Sequence, residues 1–165
     1  MKYLAVFLMV FLLGCGYKPS SYYTQKVLGE KIYVDVSISR KDPKNSVIIK
    51  DALNEAVVGR FGGKLVSKDK ASSYLYISIA SVSFVPTVYD SDGYVIEYKT
   101  KVVLNTTYET KLNKKESFTT TGEYDFPIEA NSVISDTKRF DAIRYASLDA
   151  VNEIISKISI VGMMK

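Results

Sequence analysis

The stretch Tyr94-Val95-Ile96-Glu97-Tyr98-Lys99-Thr100-Lys101-Val102-Val103-Leu104-Asn105-Thr106-Thr107-Tyr108 decides the fold of this chain. Its even positions, Tyr94, Ile96, Tyr98, Thr100, Val102, Leu104, Thr106 and Tyr108, carry apolar or hydroxyl side chains. Glu97, Lys99, Lys101, Asn105, Glu109 and Lys111 occupy odd positions. Successive side chains of a strand point to opposite faces, so the alternation predicts one long strand over 94–112 with a buried face and a wet face. Such a strand belongs in a sheet covered on one side only.

Working outward, Asp90-Ser91-Asp92-Gly93 reads as a turn. Before it, Tyr74 to Val85 reads as a second long strand whose apolar phase changes. Leu75 and Ile77 are odd, whereas Ala80, Val82 and Phe84 are even. A one-residue shift exchanges the faces, which predicts a bulge near Ser78–Ala80. Pro86 has no N–H for a ladder and is expected to end the strand or mark an edge. Downstream, Asn113-Lys114-Lys115 turns the chain, and Phe118, Thr120, Gly122, Tyr124 and Phe126 share a face of the next strand, stopped by Pro127.

The flanks supply the cover. Phe140, Ile143, Leu148, Val151, Ile154, Ile155 and Ile158 fall within roughly 140° of a helical wheel, which predicts a helix over 137–159 capped by Ser135 or Asp136. Glu153 and Lys157 form an i,i+4 pair in its favourable order. Towards the N-terminus, Ile32, Val34, Val36 and Ile38 alternate as a strand, and 41–45 reads as a loop. Ile49, Leu53, Ala56, Val57 and Phe61 recur at helical spacing over 46–61, a helix that Gly62-Gly63 ends. A short strand at Lys64–Val66 follows. The order β-α-β-β-β-α predicts an α+β two-layer sandwich, a mixed or antiparallel sheet of about four strands with two helices on one face. The apolar tail Ile160-Val161-Gly162-Met163-Met164 has no assigned role at this level.

Composition excludes much chemistry. The 165 residues contain no His and one Cys, with 22 Lys+Arg against 18 Asp+Glu. Without His there is no Ser–His–Asp or Cys–His nucleophile. Zinc needs several Cys/His ligands, and an internal disulfide needs two Cys. A net charge of +4 is too small to argue for nucleic acid. Asp35, Glu123, Asp125 and Glu129 include the carboxylates a glycosidase pair would need. No second motif accompanies them, so the expectation is a protein that is not an enzyme and holds neither metal nor cofactor.

The N-terminus sets the compartment. Met1-Lys2-Tyr3 precedes an apolar run from Leu4 to Leu13 and then Gly14-Cys15-Gly16. That is a secretory-signal layout, and ten residues fall short of the ~20 that span a bilayer. Leu12-Leu13-Gly14-Cys15 resembles a bacterial lipobox. The resemblance implies removal of 1–14 and acylation of Cys15 with diacylglycerol and a further acyl chain such as palmitate. Two or three chains anchor firmly where one is marginal. Gly16, rather than Asp, after the Cys points to the outer membrane. Residues 15–30 then read as a lipidated polar tether, and 31–165 as one domain.

Taken together, three stretches resemble the LptE family of lipopolysaccharide-assembly lipoproteins. They are Cys15-Gly16-Tyr17, the turn and strand Asp92-Gly93-Tyr94-Val95-Ile96-Glu97-Tyr98-Lys99, and the helix from Arg139 through Ile158. The resemblance implies a plug inside an LptD-like outer-membrane barrel that helps insert lipopolysaccharide into the outer leaflet, with no covalent chemistry. The family often carries a basic residue in the turn before the long strand, where this chain has Asp90 and Asp92. Lys99, Lys101 and Lys111 project from the wet face and Lys114 and Lys115 extend the tip, so these five are the candidate contacts to lipopolysaccharide phosphates or the barrel. The same lysines also suit a solvated face guarded against edge pairing. Tyr22, Tyr23, Tyr33, Tyr74, Tyr76 and Tyr89 suit either an interface or plain strand propensity. Rival readings are an accessory lipoprotein of PqiC-type lipid transport and a pilot for a secretion barrel.

Overall fold

A computed structural model describes residues 19–37, 46–48, 50, 51, 54, 55, 59, 63–110 and 114–164. The elements run α1 (Ser20–Leu28), β1 (Lys31–Ser37), α2 (helical at the described residues of 46–59), β2 (Lys64–Leu65), a 3-10 turn (Lys68–Lys70), β3 (Ser73–Tyr89), β4 (Val95–Thr110), β5 (Lys115–Pro127) and α3 (Asp136–Met163). The sheet order is β2-β1-β3-β4-β5. β1 pairs parallel to both β2 and β3, and β3, β4 and β5 form an antiparallel meander. The class is the α+β sandwich expected, with a fifth, two-residue strand and a third helix among the described residues. The helix between β1 and β2 makes the parallel crossover that such a pair requires.

The long strand behaves as its alternation demands. Thr100, Val102, Leu104, Thr106 and Tyr108 are all buried. The bulge expected near Ser78–Ala80 is present, because the register with β4 shifts between Ile79 and Ser81. That shift lets Ile77 and Ile79 below it, and Val82 and Phe84 above it, meet one core. Of the two expectations for Pro86 the edge holds and the strand end does not: β3 runs on to Tyr89, and Pro86 stands opposite Tyr98 in the ladder with β4. Among the described residues β1 pairs with β3 only as far as Ser78. On that side Pro86 therefore has no ladder bond to lose.

The helices lie on one face. Val27, Leu28, Ile48, Ile143, Val151, Ile154 and Ile158 join Ile32, Val36, Leu75, Ile77, Val102 and Leu104 in one cluster. Two glycines set how closely the layers meet. A Cβ on Gly122 of β5 would run into the Ala146 carbonyl oxygen and the Ala150 amide of α3. Ala142, Ala146 and Ala150 are fully buried at four-residue spacing, so the helix backbone lies almost directly on the strand. A Cβ on Gly162 would meet the Tyr23 carbonyl oxygen of α1. This gives the C-terminal tail its role. It continues α3 to Met163 and seats α1. Phe140, placed by its spacing on the apolar arc, is 44% exposed.

The expected polar tether needs correction within 15–30. Residues 20–28 form α1, with Thr24, Val27 and Leu28 buried, so the folded unit begins before residue 31. Three buried positions at i, i+3, i+4 are too few to stand out in a polar stretch, and an isolated helix this short is marginal in water. Tertiary contacts sustain it. Thr24 and Ser159 share a 2.8 Å hydroxyl contact, Ser159 donates to the Ser20 carbonyl, and Ser73 donates to the Leu28 carbonyl at 2.6 Å.

The outer edge of β5 is closed by α3 side chains. Thr121 N–H donates to Glu153 at 2.6 Å, and Glu123 N–H donates to Asp149 at 3.0 Å. Lys157 donates to the Thr119 carbonyl at 2.6 Å. Four helical residues rise about 6 Å and two strand residues about 6.7 Å, so the two backbones keep step in opposite directions. The edge groups of Thr119, Thr121 and Glu123, in the middle of β5, are thereby withdrawn from pairing with another strand.

Candidate functional site

The helix-free face of the sheet is formed by the odd positions of β4 and their partners. Cross-strand rows read Val85–Lys99–Asp125, Ser83–Lys101–Glu123, Ser78–Asn105–Thr119 and Tyr76–Thr107–Ser117, with Asp35 of β1 beside Tyr76 and Ser37 beside Ser78. Each side chain is placed by strand alternation and by the ladder register.

Lys99 and Lys101 do share this face, and each is engaged. Lys99 Nζ lies 2.9 Å from Glu123 and 3.9 Å from Asp125, and Lys101 lies 3.5 Å from Glu123. The hydrogen bond to Glu123 and the charge of Asp125 hold the Lys99 ammonium above its ordinary pKa. The Lys99 contact holds the Glu123 carboxyl below its own. The group is a charge-balanced lattice of two ammonium and two carboxylate groups, all solvent-accessible.

Lys114 pairs with Glu116 at 3.1 Å, and Lys115 stands opposite Glu109. Eight residues separate Lys101 from Glu109 along β4, about 27 Å at strand rise. The lysines thus form two separate groups rather than one stripe. Lys111 and Cys15 lie outside the described residues. Glu123 and Asp125 meet at the lysine lattice, whereas Asp35 lies three strands away on β1 and Glu129 follows β5 in the loop.

The acidic turn has a local cause. Asp90 Oδ1 accepts from the Asp92 and Tyr94 amides at 3.0 and 2.8 Å. The carboxylate is consumed in building the turn, and Gly93 supplies its positive φ of 83°.

The tyrosines sort into separate groups. Tyr22 and Tyr23 of α1 meet edge-to-face with Lys26 near both rings. Tyr89 lies at the β3–β4 tip. Tyr33, Tyr74 and Tyr76 form a trio on the outer face. Tyr74 and Tyr76 are stacked, with centroids 6.5 Å apart and planes 19° apart, and Tyr33 is edge-on to both. Beside the trio lies a depression lined by Asp35, Ser37, Tyr76, Ser78, Asn105 and Thr107. Alternation places each of these on an outward face. Their convergence depends on β1 lying beside β3, which no local pattern encodes. No described helix is long and apolar enough to cross a membrane.

Comparison with known proteins places this geometry. The family model "LptE: Lipopolysaccharide-assembly" matches residues 30–158. No curated protein sequence matches the chain. Among solved structures, one from Caulobacter crescentus CB15 superposes with a TM-score of 0.56 at 12% identity, covering 88% of this chain and 97% of that one. Rare lipoprotein B from Shewanella oneidensis gives 0.53 at 11% identity, covering 81% and 97%. A Xanthomonas campestris protein of the DUF330 family gives 0.55 at 10% identity, covering 82% and 86%. At such identities these structures share the fold alone.

Proposed function

This chain belongs to the LptE lipopolysaccharide-assembly family, and from that premise we propose that it is an outer-membrane lipoprotein that plugs and helps assemble an LptD-like barrel. The family match over residues 30–158 carries the reading. Cys15 carries the acyl anchor, and no bond of lipopolysaccharide is made or broken. A plug must be rigid and polar where it meets a polar lumen. The outer sheet face supports this role: apart from valines such as Val85, its side chains are ion pairs, hydroxyls, amides and tyrosines, while the apolar core lies under the described helices. The capped edge of β5 adds support, because a body inside a barrel must not extend the barrel's own sheet. Lys99 and Lys101 are assigned to contacts with lipopolysaccharide or the lumen wall, where an incoming anion would exchange for Glu123.

The test is a mild-detergent pull-down of the anchored protein with identification of what co-purifies in equal amount. An LptD-like barrel is the expected partner. A lipid-transport complex of the PqiC type or a secretion barrel in its place would overturn the plug reading while leaving the anchor. Cys15→Ser is expected to move the protein into the soluble periplasmic fraction. Undiminished membrane retention of that variant would make the anchor dispensable.

A further inference from the structure

The trio on the outer face and the depression beside it have chemistry that the lysine lattice lacks. Asp35, Tyr76 and Thr107 form one cross-strand row and Ser37, Ser78 and Asn105 the next, spread over β1, β3 and β4. The space between them is about 190 Å³, room for about six water molecules at ~30 Å³ each. Its lining mixes acceptors and donors. Asp35 offers a carboxylate. Asn105 Oδ1 already accepts from Thr119 at 3.0 Å, which turns its amide donors to other partners. Ser37 donates to the Ile77 carbonyl at 3.3 Å and keeps its lone pairs, and Thr107 shares a hydrogen bond with Ser117 at 2.8 Å. The single formal charge on the lining is negative, which disfavours a phosphate or a carboxylate ligand.

A neutral sugar matches this lining. Its hydroxyls are each donor and acceptor, and a vicinal pair can bridge a carboxylate and an amide. Its C–H face is apolar and flat enough to lie on an aromatic ring. Tyr74 and Tyr76 brace one another with Tyr33 at their edge, so little rotamer freedom remains to be lost on binding. We propose that Tyr33, Tyr74 and Tyr76, with Asp35 and Asn105, form a saccharide-binding platform that takes a neutral sugar unit of an oligosaccharide. The site stands on this geometry. Only its natural source, the glycan part of lipopolysaccharide, rests on the function proposed above.

The experiment is saturation-transfer NMR on the full chain in detergent micelles. The probes are delipidated core oligosaccharide, maltotriose and inorganic phosphate. Transfer to sugar ring protons from at least one oligosaccharide is expected, uncompeted by phosphate. Tyr74→Ala with Tyr76→Ala should weaken binding by about tenfold or more, with an unchanged thermal transition as the control for folding. Tyr76→Phe keeps the ring and should bind within about threefold of the parent. Absence of transfer to both oligosaccharides, equal binding by the double variant, or displacement by phosphate would each overturn the proposal. Loss of sugar binding alone leaves the barrel pull-down untouched, and sugar binding without a barrel partner defeats the plug reading instead.

Discussion

The two faces of the sheet are built from different residues under opposite rules. On the inner face, Gly122 and the alanines of α3 bring two backbones together, and Leu104 and Val102 are fully buried. On the outer face, Lys99, Lys101, Glu123 and Asp125 pair in solvent. Close packing has no slack, so a single added methyl there forces the layers apart. Exposed ion pairs exchange one solvated partner for another and contribute little. Stability is therefore concentrated on the inner face, and the outer face is free to serve recognition.

Four changes would break or sharpen that contrast, in descending effect. Removing residues 137–165 should abolish the cooperative thermal transition, since β4 and β5 lose their cover. A truncated chain that still melts cooperatively would show that the sheet stands without α3. Gly122→Ala should cost about 3 kcal/mol, seen as a large drop in denaturation midpoint. A drop no larger than that of an outer-face substitution would contradict the close approach of α3.

Glu153→Gln should cost about 1 kcal/mol, because the Thr121 amide and Lys157 lose a charged acceptor. Burial pushes the Glu153 carboxyl up, and the Thr121 amide and Lys157 together outweigh it, leaving its pKa below 4.5. A depressed folded-state pKa gives stability that is full above the unfolded value and lost as pH falls through the folded one. The parent should therefore lose its advantage over the variant as pH drops below 4.5, and a pH-independent difference between the two midpoints would count against this account. Finally, Lys99→Gln with Lys101→Gln should leave the thermal midpoint close to that of the parent. It should weaken lipopolysaccharide binding in a direct assay. Unchanged binding would return both lysines to the role of solvated strand residues.

The same contrast governs what was legible in the chain. Inner-face positions announce themselves, because burial selects apolar residues at a period of two in β4 and 3.6 in α3. The bulge at Ile79/Ser81 was readable for that reason, as an apolar phase shift. Gly122 was readable as a member of a face, though not as the contact point of α3. Helix α1 was missed because its burial rests on Thr24, Val27 and Leu28 among polar neighbours. Pro86 was readable as a mark of either a strand end or an edge, and the sheet decides for the edge, because β3 continues past it on its pairing with β4. On the outer face Lys99 and Lys101 were found, but not their neutralisation by Glu123 and Asp125, since β5 register decides which charges meet. Asp35, Tyr76 and Asn105 come from three strands that only the sheet order 2-1-3-4-5 brings side by side.

Local chemistry thus determined the layer architecture, the long strand, and the last helix with its cap at Ser135 or Asp136, of which the structure selects Ser135, because alternation, helical spacing and capping act over a few residues. The family resemblance was legible at the same level, carried by those patterns and by the Cys15 motif. Tertiary structure alone decided the seating of α1 against Gly162, the closure of the β5 edge by Asp149, Glu153 and Lys157, the charge balance of the lysines and the tyrosine platform. Each of these joins residues distant in the chain, and such contacts are selected by the packing of whole layers rather than by any local preference.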